Sequence, residues 1–216
     1  MRMTRAAERE PVRWANGGGL TRELAHRAAG RGVSGPAFDW RLSLADIDRD
    51  GPFSALAGVD RCFAPVEGEV LLALPGGVRR VGDADAPLVF AGEAAPEAVL
   101  PGGAHCRALN LMTARARCAG RMRRVALPDG ALLDAGWAAA TAAALGGAGT
   151  WMRACFVQRG RLVAGTIVVP AGALLELDAA DPLPRADGAV LLLEAVILPA
   201  NDAAAVPALS VQQAPR

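Results

Sequence analysis

From residue 60 to residue 113 the chain offers a short strand-like run about every ten residues, with glycine or proline in the gaps. Residues 60–66 and 69–74 flank a turn at Glu67-Gly68. Runs at 88–90, 97–100 and 107–113 follow, separated by Pro75-Gly76-Gly77, Gly82-Asp83, Ala91-Gly92-Glu93 and Pro101-Gly102-Gly103. Strands this short bury their apolar faces only by sharing a core with other strands, so the pattern points to a sandwich or a barrel. After a strand near 122–126, residues 132–149 turn alanine-rich without an amphipathic stripe, which reads as a connector, partly helical. Short strands then resume at 153–158, 162–169, 173–177 and 190–198. Cys62-Phe63 followed by Gly68 is loosely echoed by Cys155-Phe156 followed by Gly160, as an internal repeat would be. The expectation is an all-β chain in two halves, residues 1–126 and a smaller 151–216, joined by an Ala/Gly-rich connector at 127–150.

Composition removes several function classes. A net charge of +1 argues against nucleic acid, whose phosphates need a concentrated basic excess. The chain has neither Lys nor Tyr, which excludes Schiff-base lysine and tyrosine chemistry. Cys62, Cys106, Cys118 and Cys155 are scattered and form no CxxC pair, as for buried thiols in a reducing compartment. Residues 1–11 are charged on both signs with no apolar core, and no apolar run approaches the roughly 20 residues needed to cross a bilayer. A cytoplasmic protein without membrane or nucleic-acid partners is expected.

The polar residues that strand alternation turns inward carry the functional question. Gly17-Gly18-Gly19 makes a tight turn, after which Leu20, Arg22, Leu24 and His26 fall on one face and Thr21 and Glu23 on the other. A guanidinium among leucines needs a carboxylate, a carbonyl, water or a ligand anion. In the strand at 38–45, Phe38, Trp40, Leu42 and Leu44 share one face; Asp39, Arg41 and Ser43 share the other, which is either solvated or lines a polar cavity. Arg61 shares parity with Phe63, and Arg107 with Leu109 and Leu111. One such arginine ordinarily snorkels or joins a salt bridge, whereas several in one interior make an anion pocket, because Arg grips carboxylate through a planar fork. The candidate set is Asn16, Arg22, Arg41, Ser43, Arg61, Arg107 and Asn110.

Other chemistries lack their residues. His26 and His105 sit in no metal-binding spacing, and where residues 165–172 resemble the second metal motif of cupins, the position expected to be His is Leu175. There is no G-x-S-x-G, and the glycine run lacks both the Walker lysine and the G-x-G-x-x-G spacing. No metal and no cofactor are expected.

Trp14, Asn16-Gly17-Gly18-Gly19, Thr21-Arg22-Glu23, Asp39-Trp40-Arg41-Leu42-Ser43-Leu44-Ala45, Asp50-Gly51-Pro52-Phe53-Ser54, Gly58-Val59-Asp60-Arg61, Glu67-Gly68 and Asn110-Leu111-Met112 occur in an order and spacing that resemble the HutD/Ves family. The likeness spans roughly residues 12–114 and is looser beyond. It implies a metal-free bicupin, two jelly-roll barrels in one chain, associated with bacterial histidine utilisation. It also implies a ligand pocket in the first half, made by Asn16, Thr21, Arg22, Arg41, Ser43, Arg61 and Asn110. Two positions depart from the family pattern: Ala15, where members often carry Lys, and Ala108, where many carry Asp. The leading expectation is a non-enzymatic binder of a small carboxylate, such as N-formylglutamate or urocanate, that regulates histidine or amino-acid catabolism. The alternatives are an isomerase or hydrolase using Asp60 or Glu23 as base, and a protein-interaction module. A homodimer is compatible with each.

Overall fold

The computed structural model describes residues 1–146, 151–178 and 180–199; the last residues of the expected connector, 147–150, and the expected C-terminal stretch 200–216 lie outside the described residues. The first eleven strands are β1 (Arg2–Arg5), β2 (Val12–Arg13), β3 (Gly19–Ala28), β4 (Phe38–Ile47), β5 (Gly51–Pro52), β6 (Val59–Glu67), β7 (Glu69–Leu74), β8 (Gly77–Gly82), β9 (Leu88–Ala91), β10 (Glu97–Val99) and β11 (Cys106–Ala114). There follow β12 (Cys118–Leu127), helix α1 (Gly136–Ala144), β13 (Met152–Ala164), β14 (Ile167–Pro170), β15 (Ala173–Leu177) and β16 (Arg185–Pro199).

These strands build three antiparallel sheets. A central sheet runs β2-β3-β4-β11-β6-β9, an outer sheet runs β5-β10-β7-β8, and the sheet of the second half runs β1-β15-β13-β16-β12 with β14 on β13. The expected all-β, two-half jelly-roll architecture is present. The sheets are open, however, and are not the closed barrels expected, because among the described residues no ladder joins the central sheet to the outer one. The second sheet also takes β1 and β12 from outside residues 151–216, so strand pairing crosses the expected domain limits.

The central sheet is buried on both faces. On one, Leu42, Leu44, Cys62, Ala64, Leu109 and Leu111 meet Ala154, Phe156, Leu174, Leu193, Ala195 and Ile197 of the second half. On the other, Ile47, Phe63 and Ala108 meet Val70, Leu72, Leu74 and Ala98 of the outer sheet. Fully burying one Leu or Phe side chain contributes about 2–3 kcal/mol, so both interfaces hold the stack together. A third core, with Val157, Leu162, Leu175, Leu177 and Leu192, fills the second half. Within the alanine-rich segment, Gly136–Ala144 form a helix docked on the second sheet: Asp134 Oδ1 accepts from the Gly136 N–H at 2.8 Å, and Ala138 and Ala142 lie against Val196 and Leu198.

The two halves repeat one strand order, β4-β11-β6-β9 in the first and β12-β16-β13-β15 in the second. Gly68 and Gly160 mark equivalent points. Both have positive φ (73° and 81°), and a Cβ would lie 2.4 Å from the His105 carbonyl oxygen in one and 2.3 Å from that of Ala189 in the other. Counted back from these glycines, Arg61 and Arg153 are each seven residues upstream, and Phe63 and Cys155 each five. The Cys-Phe echo is therefore one residue out of step: Phe63 and Cys155 each face the interior of their own half.

Candidate functional site

In an antiparallel sheet, directly opposed residues share a face. Arg41 opposes Met112, which opposes Arg61; Ser43 opposes Asn110, which opposes Phe63. Three adjacent strands thus present two rows of side chains toward the outer sheet, and an open cavity of about 900 Å³ lies over them. Arg41, Ser43, Arg61, Asn110 and Met112 form its floor. Thr21 and Glu23 of β3, together with Trp14 and Asn16 of the glycine turn, form one wall, and Phe53 forms another.

Arg61 dominates the electrostatics. It is 5% exposed, its Nη2 donates to Asn110 Oδ1 at 2.8 Å, and its guanidinium carbon lies 4.8 Å from the ring centre of Phe53 and 5.2 Å from that of Phe90. Its Nε is buried with no hydrogen-bond partner. Arg41 Nη2 contacts the Met112 sulfur at 3.2 Å, its guanidinium carbon lies 5.1 Å from the Phe38 ring centre, and its Nε is likewise unpartnered. Neither guanidinium forms an ion pair with a carboxylate among the described residues. Burial, and then the charge of Arg41, push Arg61 down to about 10; burial also lowers Arg41, against the opposing pull of Glu23. The cavity floor therefore carries two guanidinium groups that no carboxylate ion-pairs among the described residues, while Glu8, Glu10 and Glu23 stand in the surrounding lining.

The wall is built by the glycine turn. Asn16 Oδ1 accepts from the Gly18 N–H at 3.0 Å and its Nδ2 donates to the Pro52 carbonyl at 3.3 Å, tying the turn to β5. Gly19 is required by close approach, since a Cβ there would lie 2.1 Å from the Asp46 carbonyl oxygen. Trp14 Nε1 donates to Thr21 Oγ1 at 2.7 Å, and the Trp14 ring stands edge-on to Phe53 with centres 6.1 Å apart.

Six of the seven expected site residues, Asn16, Thr21, Arg41, Ser43, Arg61 and Asn110, line this cavity. Arg22 does not. It lies opposite Leu44 on the other face of the sheet, where it pairs with Asp46; Arg107 Nε donates to Asp46 Oδ1 at 2.6 Å beside it. An Arg22–Arg61 clamp is excluded by that placement, and Arg107 is likewise turned away. His26 also leaves the expected face: a bulge between Glu23 and Ala25 buries Leu24 and Ala25 together and brings His26 opposite Arg41. Of the two carboxylates considered as bases, Asp60 accepts from Arg115 Nε at 2.8 Å and is not a lining residue, whereas Glu23 lines the cavity with His26 Nδ1 at 2.5 Å. Alternation had not flagged Glu8, Arg9 and Glu10. They come from an N-terminal segment that starts as β1 on the second sheet and reaches the cavity, where Arg9 Nε donates to the Glu23 carbonyl at 2.8 Å.

A family model described as HutD matches residues 5–185. The chain belongs to the HutD family. Among its relatives, an uncharacterized 21.2 kDa protein in the hutC 3' region of Pseudomonas putida is 37% identical over 124 residues, 56% of this chain and 63% of that one. Protein Ves of Citrobacter koseri is 37% identical over 113 residues, 50% of this chain and 56% of that one. The match thus spans about three fifths of the length of these relatives. HutD from Pseudomonas fluorescens SBW25, solved in a formate condition, superposes with a TM-score of 0.69 at 23% identity, covering 93% of this chain and 99% of that one; this likeness concerns the fold. Of the two positions noted as departing from the resemblance, Ala15 lines the cavity and Ala108 is buried in the core between the central and outer sheets.

Proposed function

We propose that this HutD-family protein is a non-enzymatic receptor for a small carboxylate metabolite of histidine or amino-acid catabolism, acting in the cytoplasm to sense or sequester it. The observation that carries the reading is Arg61: a buried guanidinium that, among the described residues, has a single side-chain hydrogen bond to an amide oxygen, an unpartnered Nε and no ion-paired carboxylate, facing a cavity large enough for a metabolite. An uncompensated buried charge costs stability, and a ligand carboxylate supplies the missing anion. Arg41 adds a second positive charge, Ser43 and Asn110 supply hydrogen-bonding groups that orient the rest of the ligand, and Phe53 and Trp14 give it an apolar wall. Family membership, together with a relative from the hutC 3' region, links the chain to histidine utilisation. N-formylglutamate and urocanate are accordingly the ligands to try first. Isothermal titration with N-formylglutamate, urocanate and histidine should give saturable heat with at least one of them. Absence of heat with all three at millimolar concentration would overturn this assignment of ligand class.

A further inference from the structure

The second half contains a filled counterpart of this site. Arg153, equivalent to Arg61 by its distance from the paired glycines, is 4% exposed and faces the interior of its own half. Its Nε donates to Glu194 Oε1 at 2.6 Å, while Arg123 Nε donates to Oε2 of the same carboxylate at 2.7 Å. Glu194 is fully buried. The register identifies which first-half residue stands in its place. Glu194 opposes Cys155, two residues beyond Arg153; Asn110 opposes Phe63, two residues beyond Arg61. One lattice position therefore holds a carboxylate in the half whose interior is packed with leucine and valine, and an amide in the half that has a cavity.

We infer that Asn110 is the specificity-determining residue of the cavity: by presenting a neutral oxygen where the second half presents a carboxylate, it holds Arg61 in place without neutralising it and so reserves its charge for an external carboxylate. This rests on the receptor reading above and extends it. Asn110 Oδ1 already lies at hydrogen-bond distance from Arg61 Nη2, so an aspartate of the same shape would place a charged oxygen where the amide oxygen now sits. Such a carboxylate would do for Arg61 what Glu194 does for Arg153, and a ligand carboxylate arriving at the cavity floor would meet a neutralised arginine and a like charge.

The test is Asn110→Asp, with Asn110→Ala as control, read by thermal unfolding and by titration with urocanate and N-formylglutamate. Asn110→Asp should raise the melting temperature by about 2–6 °C at pH 7 and weaken binding of either ligand at least about tenfold. The introduced Asp should have its pKa lowered by Arg61, so its stabilisation is complete above the ordinary Asp value near 4 and disappears as pH falls below it toward the folded value. Asn110→Ala removes one hydrogen bond and should lower the melting temperature at every pH. A melting temperature for Asn110→Asp at or below wild type at pH 7 overturns the inference, as does wild-type ligand affinity in that variant. If neither ligand binds the wild type, the receptor reading fails separately, and the melting shift with its pH dependence still decides whether position 110 controls the charge of Arg61.

Discussion

Arg22 and Arg61 belong to the same six-stranded sheet, yet among the described residues Arg22 is paired with a carboxylate and Arg61 is not. Arg22 faces the second half, where Asp46 takes both it and Arg107. Arg61 faces the outer sheet, where Asn110, two phenylalanine rings and empty volume surround it. The difference separates two uses of one residue type. A guanidinium that meets its carboxylate inside the fold has its charge compensated there, whereas one left uncompensated lowers stability and would gain from an external anion.

The comparison breaks most readily at Arg61. Arg61→Met keeps an unbranched apolar stem among Phe53, Phe63 and Phe90 and removes the uncompensated charge. Carboxylate affinity should fall by about 100-fold or more, as when one partner of a desolvated charge pair is lost. Melting temperature should stay level or rise. A clear fall in stability together with intact binding would show that Arg61 is structural and Arg22 its equal.

Asp46→Ala is the reciprocal experiment. It leaves Arg22 and Arg107 partly buried without their shared carboxylate, and urea unfolding should show a loss of about 2–4 kcal/mol. The folded fraction should bind carboxylate about as the wild type does, because Asp46 lies on the face turned away from the cavity. Arg22→Met should cost about 1–2 kcal/mol, less than Asp46→Ala because the Asp46–Arg107 pair survives. If Arg22→Met instead weakens binding tenfold, the assignment of faces is wrong.

How far these faces were legible in sequence follows from the same pair. Alternation correctly placed Trp40, Leu42 and Leu44 in one core and grouped Arg41 with Ser43 on the opposite face, because β4 is regular through that stretch. It also correctly required a partner for Arg22 among leucines. What alternation could not supply was which of two buried faces held the cavity: a strand covered on both sides has no solvent face to break the symmetry. A one-residue bulge moved His26 out of its expected row, and register alone reveals such a step. The N-terminal residues at the cavity were invisible for another reason. Glu8, Arg9 and Glu10 reach it because β1 pairs with β15, a contact some 170 residues away in the chain. The repeat was visible as two strand sets, but its register needed the pinched glycines Gly68 and Gly160.

Titration sharpens the comparison with the smallest effect. Arg61 is pushed down to about 10, first by burial and then by Arg41, below its ordinary value of 12.5. The folded state therefore holds this proton less tightly than the unfolded chain, so its charge lowers stability at neutral pH, and that loss is relieved as pH rises from about 10 toward 12.5. Binding runs the other way, because a carboxylate takes the charged guanidinium. Affinity should be flat from pH 7 to 9 and fall as pH rises above about 10. The chain suits this measurement, since it has no Lys or Tyr, and burial pushes Cys62 up to about 11 and Cys106, Cys118 and Cys155 up to about 12. The same inflection in Arg22→Met would assign it to the cavity face, where Arg61 and Arg41 lie. An inflection that shifted or vanished in Arg22→Met would place the titrating cation on the other face of the sheet and reverse the roles of the two arginines.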